Sequence, residues 1–295
     1  VYDFLIYSVT IAAIYGLMAI GLNMQAGYAG LLNFGHIAFA GVGAYATAIL
    51  TAAGYPPLAG MAAGVLVAVA LGWCIARLGR KLASDYWGIA TLAIAEILRT
   101  VATNEEWLTG GAQGISAVPA LFGNLAKPWG GLAFLALVLA ILAAGAVAAN
   151  RVGNGRFGRA LRLMREQPQL ASCMGYNLRT LKTRAIMSGA AITALGGSLY
   201  AHYMSFAGPD YLLSSETFLL WTMLLIGGMG NMWGVLLGVV LVQAAYALVP
   251  FAKDAFHFSS DLSGALRLGL IGAILLASLL WRSEGLVPEK VRKMP

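Results

Sequence analysis

The chain has 295 residues, 60% of them hydrophobic and 11% charged, with a formal net charge of +7. Soluble domains carry roughly 25% charged residues, so this composition excludes a dispersed soluble protein. Nucleic-acid binding is excluded as well, because the positive charge does not spread over a polar face. It flanks apolar runs instead: 15 of the 19 Lys and Arg fall in Arg77–Lys81, Arg151–Arg184 and Arg282–Lys293.

A run of about 20 apolar residues spans the hydrocarbon core of a bilayer, and basic loops stay on the cytoplasmic side. Taken in chain order, the apolar runs predict helices at 4–22, 30–53, 58–79, 87–104, 132–150, 184–204, 216–229, 231–249 and 265–282. The expected fold is all-α: a polytopic integral membrane protein with about nine transmembrane or re-entrant helices, forming one transmembrane domain over 1–295. The first run lacks a basic leader and a small-residue cleavage site, so it reads as a spanning helix, not a signal peptide. With Arg77–Lys81 inside, alternation places 104–129, 205–215 and 250–264 outside. It places 151–183 and the C-terminus in the cytoplasm. Tryptophans 73, 87, 107, 129 and 281 fall near predicted helix ends, where interfacial anchors belong.

Two stretches are unusual as plain spans. Residues 27–45 read GYAGLLNFGHIAFAGVGAY and 226–238 read IGGMGNMWGVLLG. Glycine and polar residues at membrane depth point to a broken helix that is buried in protein or lines a cavity. They also fit close helix packing, since Gly230, Gly234 and Gly238 have small-xxx-small spacing. Asn33, His36 and Phe39 are candidates for lining a solute path on one side, with Glu96 and Arg99 on the other. Asn33 and His36 share a face if that stretch is helical. His36 equally suits a hydrogen-bonded interior histidine or a proton relay. Glu96 and Arg99 are three apart and hence on one helical face. They suit a structural ion pair or a polar element beside the path. The following stretch WLTGGAQGI, 107–115, is a glycine-rich outer loop that could receive a solute or a docking protein, or serve only as a connection.

The 33 residues 151–183 form the one sizeable polar segment. Leu161, Met164 and Arg165 share a helical face, Pro168 should break the helix, and Leu170, Met174 and Gly175 suggest a second short helix closed by a glycine cap. Such a helix can lie on lipid or fill a groove on a partner. No Walker A, GxSxG, HExxH or paired-cysteine motif occurs, so the chain reads as no enzyme, with no cofactor and no metal site. Cys74 and Cys173 fall near the predicted cytoplasmic face, where thiols stay reduced. An ion-coupled secondary transporter using Glu96, or a channel subunit, is the alternative to a pump component.

Four blocks together resemble the LivM-type permeases of ABC importers of the branched-chain amino acid class. They are GLNMQAGYAGLLNFGHIAFAGVGAY, YWGIATLAIAEILRT with LTGGAQGI, GRALRLMREQPQLASCMGYN, and GGMGNMWGVLLG, in that order across 16–245. The resemblance implies the ABC importer permease fold in a bacterial inner membrane. It implies a heterodimer with a LivH-type permease chain, two cytoplasmic ATPase subunits below and a periplasmic solute-binding protein above, all within membrane lipid. It implies alternating access and a small polar solute, foremost a branched-chain or related amino acid. The ATPase-contacting segment falls on Arg159, Arg162, Met164, Arg165, Leu170, Ala171, Met174 and Gly175, with Ala171 and Gly175 matching the family's Ala and Gly. The chain departs at Gln167, Pro168 and Gln169, where relatives often carry acidic residues.

Overall fold

The computed structural model describes residues 2–79, 82, 84–116, 118–123, 125–126, 128–256, 260–281 and 284–289. Arg80, Lys81, Arg282, Lys290, Arg292 and Lys293, which carry part of the charge argument above, lie outside the described residues. The elements are α1 (Tyr2–Leu22), α2 (Ile37–Ala52), α3 (Pro57–Leu78), α4 (Ser84–Asn104), α5 (Glu106–Thr109), α6 (Trp129–Asn154), α7 (Arg156–Glu166), α8 (Pro168–Cys173), α9 (Leu178–Met204), α10 (Ser214–Gly227), α11 (Met232–Phe256) and α12 (Ser260–Trp281). A two-stranded antiparallel ribbon joins β1 (Ile115–Ser116) to β2 (Phe206–Ala207), with Ile115 opposite Ala207. The architecture is all-α, and a helix lies on each apolar run. Among the described residues, Tyr2–Tyr28, Pro57–Leu78, Trp129–Asn154 and Met232–Val249 are long and apolar enough to cross a membrane.

Local chemistry sets the boundaries. Beyond Leu22, α1 widens into a π-helical turn, Asn23–Tyr28, and then stops. Gly30 takes φ +67°, a left-handed conformation that glycine tolerates. The helix expected over 30–53 therefore begins only at Ile37, and Ala29–His36 is irregular. Proline opens α3 at Pro57, where a missing N–H costs nothing. Pro168 likewise divides the polar segment into α7 and α8, as the sequence predicts. Asn177 caps α9, its side-chain oxygen accepting from the Thr180 N–H at 3.2 Å. The loop expected from Pro250 is helical instead: α11 continues through that proline to Phe256. Proline is tolerated within membrane helices where neighbours satisfy the freed backbone groups.

Helix α1 is the axis of the bundle. Almost every residue from Thr10 to Tyr28 is buried, as expected of a helix that is apolar all round. Around it the helices approach at small residues. Gly43 meets the Ala194 backbone, Gly197 meets Ala40, and Gly21 meets Gly189, which draws α1, α2 and α9 together. Gly234 and Gly238 pack against Gly227 and the Met223 carbonyl across α10 and α11, so the small-residue reading holds there. Gly230 plays another part, turning the chain at φ +79° between those helices. Trp87 is not an interfacial anchor: it is buried against Gly79.

The loops segregate into two groups. The ribbon ties the segment after α4 to the segment after α9. At the other end of α9, a helix of 27 residues and so about 40 Å long, sit α7, α8 and the C-terminal tail. The Leu286 N–H donates to the Ile226 carbonyl at 2.8 Å and that of Val287 to Gly227 at 3.0 Å, fixing the tail under the α10–α11 turn.

Gly197→Val should reduce stability by about 1–3 kcal/mol through overpacking of α2 on α9. Gly131→Ala should be neutral, since its nearest neighbour to an added methyl is Ile6 at 3.5 Å. Thermal unfolding of the purified variants in detergent checks both.

Candidate functional site

The break between α1 and α2 exposes backbone donors in the interior, and side chains from two helices and from the break itself take them. Thr91 of α4 accepts from the Phe34 N–H at 3.1 Å, and Thr217 of α10 accepts from the Ile37 N–H at 3.1 Å. Asn33 accepts from the Gly35 N–H at 3.0 Å and donates to Gln25 at 2.8 Å. Gln25 in turn donates to the Ile186 carbonyl of α9 at 3.1 Å, and the Trp221 indole donates to the Asn33 carbonyl at 3.0 Å. The Gly230 N–H donates to Asn23 at 2.9 Å, joining this network to the α10–α11 turn. Asn23, Gln25, Asn33, His36, Thr193 and Thr217 are all essentially inaccessible.

Of the candidate path residues, Asn33, His36 and Phe39 are brought together in this interior. His36 Nε2 lies 2.7 Å from Thr193 Oγ1 and 3.2 Å from the Met18 carbonyl. Both contacts suit a hydrogen-bonded interior histidine. Phe39 meets the His36 ring edge-on at 5.7 Å. Glu96 and Arg99 are placed elsewhere. They form a two-pronged pair on the outward side of α4, with Arg99 Nε 2.9 Å from Glu96 Oε1 and Nη2 2.5 Å from the same oxygen. Their side chains are 48% and 32% exposed in the single chain. The residues missed from sequence are the partners, Gln25, Thr193, Thr217 and Trp221. Gln25 alone carried a signal, as a polar residue inside an apolar run.

The candidates of the polar segment, 151–183, divide into two sets. Met164 and Ala171 are buried against the chain's own helices. Arg162 donates to the Gly153 carbonyl at 2.8 Å and lies over the Tyr28 ring. Arg165 reaches the Gly27 carbonyl in the π-helical turn. Both arginines bond to Glu289 of the tail, Arg165 Nη2 at 2.7 Å from Glu289 Oε2. Burial works against the Arg165 charge, but its hydrogen bonds to Glu289 and Glu166 outweigh that and raise its pKa. Arg159, Leu170, Met174 and Gly175 face away. Met174 is 63% exposed, and nothing lies within 4 Å of an added Gly175 side chain. Glu289 gave no sequence signal, because a lone acid in a polar tail is ordinary.

Glycines at positive φ (110, 111 and 114) fold 106–114 into a cap over the end of α4, from which Trp107 projects, 81% exposed. No group of three or more His, Cys, Asp or Glu that could hold a metal occurs among the described residues.

A helical bundle with apolar spans, an irregular polar interior and two segregated loop faces defines a multi-pass membrane permease. The chain belongs to the family described as "Branched-chain amino acid transport system / permease component", which matches residues 4–279. It is 28% identical to the high-affinity branched-chain amino acid transport system permease protein LivM of Escherichia coli K12, over 95% of this chain and 69% of that one. It is 29% identical to a probable LivM permease of Methanocaldococcus jannaschii, over 94% and 91%. The LivH permease of Salmonella typhimurium is 25% identical over 91% and 90%. No solved structure matches. The chain is thus a permease component and not an enzyme.

The Arg165–Glu289 contact should show a coupling of about 0.5–3 kcal/mol in a double-mutant cycle of Arg165→Gln and Glu289→Gln. Unfolding midpoints of the four proteins in detergent read it out.

Proposed function

We propose that the chain is one permease half of an ATP-driven importer of branched-chain or related amino acids, working by alternating access. Its partners are a LivH-type chain, two cytoplasmic ATPase subunits and a periplasmic solute-binding protein. The likeness of the chain to LivM and LivH relatives alike supports a pseudo-symmetric pair of permeases. The basic stretches orient 151–183 and the C-terminus toward the cytoplasm, and the ribbon with the Trp107 cap toward the solute-binding protein. About nine crossing or re-entrant helices and a single permease domain fit this orientation. The solute path passes the polar interior at Asn33, His36 and Phe39, while Glu96 and Arg99 hold each other at the outward side of α4.

The observation that carries the reading is the two-sided cytoplasmic hairpin. Helix α7 fastens inward through Arg162, Met164 and Arg165, while α8 and the turn after it leave Leu170 and Met174 exposed, and nothing among the described residues lies within 4 Å of an added Gly175 side chain. An exposed apolar knob on a short helix suits a groove on another protein, and its rigid base transmits displacement. Arg159 adds a charge at the rim.

Met174→Glu should abolish co-purification of the ATPase and ATP-driven uptake while leaving the unfolding midpoint unchanged. Retained co-purification with full uptake would remove α8 from the ATPase contact. With the exposed Cys74 and Cys173 replaced, Asn33→Cys should resist a water-soluble thiol reagent at rest and react in one nucleotide state. Protection in every state, with uptake intact, would move the path elsewhere.

A further inference from the structure

The half of the molecule that carries the ribbon holds two cavities, of about 210 and about 250 Å³, separated by a wall that neither the path residues nor the family resemblance involves. Both cavities are lined by Tyr15 of α1, Tyr200 of α9 and Glu216 of α10. The Tyr15 hydroxyl donates to Glu216 Oε2 at 2.6 Å and thereby closes the gap between α1 and α10. Tyr200 stands edge-on to Tyr15 at 6.4 Å and to Tyr211 at 4.7 Å. The smaller cavity adds Asp210 and Tyr211, and its apolar side is made by Met18, Ile37 and Leu213. No residue lining either cavity is basic.

We propose that the smaller cavity is a station for the ammonium group of the solute, with Glu216 as its counter-ion, and that the solute opens the wall by taking Glu216 from Tyr15. The inference deepens the proposed import reading and rests on it for the direction of movement, not for the chemistry of the site. A carboxylate lining two cavities with no basic side chain among their described lining residues is costly, and a primary ammonium supplies the charge and the further donors it lacks. Aromatic ring faces add attraction for the same group. A deaminated solute brings only a carboxylate, which Asp210 and Glu216 repel. The cavity lies below the roughly 300 Å³ at which drug-sized pockets begin, so it suits a small amine with a short apolar side chain, resting on Met18, Ile37 and Leu213. Solutes without an ammonium, such as aromatic carboxylates, do not fit. The exchange is conservative: an ammonium N–H replaces the tyrosine O–H at the carboxylate, and no proton need be transferred.

The test uses the purified complex in lipid nanodiscs, with Cys74 and Cys173 replaced and Leu213→Cys introduced. The labelling rate with a trimethylammonium methanethiosulfonate is measured alone and with L-leucine, 3-methylbutylamine or 4-methylpentanoate. The proposal expects labelling to slow about tenfold with leucine and with the amine, and not with the deaminated acid. Glu216→Gln keeps an oxygen for the Tyr15 hydroxyl, so it preserves a purely structural bond but removes the charge. It should retain the unfolding midpoint and lose the protection. Equal protection by 4-methylpentanoate, undiminished protection in Glu216→Gln, or no labelling in any state overturns the proposal. If leucine is imported and the amine does not protect, the station fails while the import reading stands. If the amine protects and no amino acid is imported, the import reading fails and the station stands.

Discussion

An interrupted helix inside a bilayer must find a partner for every backbone group it frees, since no bulk water reaches them. The break between α1 and α2 meets that demand in part with side chains borrowed from elsewhere: Thr91 from α4, and Thr217 and Trp221 from α10. Each borrowed partner fixes the rotation of its own helix. Two helices, α4 and α10, are thereby registered against one irregular stretch of eight residues, Ala29–His36, and the start of α2. Apolar packing alone would not do this. Lipid tails are as apolar as leucine, so helices in a membrane gain position from close contact and polar bonds, not from hydrophobic burial against each other.

The glycine contacts serve the same end. Threonine and asparagine side chains are short, and they reach a neighbouring backbone only if the helices stand close. Gly43 against Ala194 and Gly21 against Gly189 supply that closeness between α1, α2 and α9, and Thr193 then comes within 2.7 Å of His36. Packing and polar interior are one device, which is why the two readings of the glycine-rich stretches are both met in the structure.

Much of this was legible in the sequence, and the failures have physical causes. The apolar runs, the division of the cytoplasmic segment at Pro168 and the glycine close to α8 follow from local chemistry, which sequence displays directly. The start of α2 does not, because Leu31 and Leu32 are as helix-compatible as their neighbours and only the tertiary hydrogen bonds decide against helix there. Pro250 misled for the converse reason: α11 continues through it, as membrane helices can. Asn33 and His36 could be recognised as interior polar residues, yet Thr193, which meets His36, and Trp221, which donates to the Asn33 carbonyl, lie 157 and 188 positions away, a separation no local pattern encodes. Glu96 and Arg99 showed their mutual spacing but not which side of α4 would face the bundle.

The polar interior and the cytoplasmic hairpin are not separate features. Arg165 of α7 bonds to the Gly27 carbonyl, and Arg162 covers the Tyr28 ring, both in the π-helical turn that leads into the break. Asn23, in that same turn, accepts from Gly230, and Glu289 stands against Gly230 while bridging the two arginines. Two arginines therefore join α7, and with it the adjoining α8, to the first turn beyond α1. That turn carries Gln25, the partner of Asn33 at mid-bundle. A π-helical turn is a strained widening of a helix and is often found where function requires local rearrangement. Arg162, Arg165 and Glu289 thus tie α7 and the tail to the π-helical turn that carries Gln25.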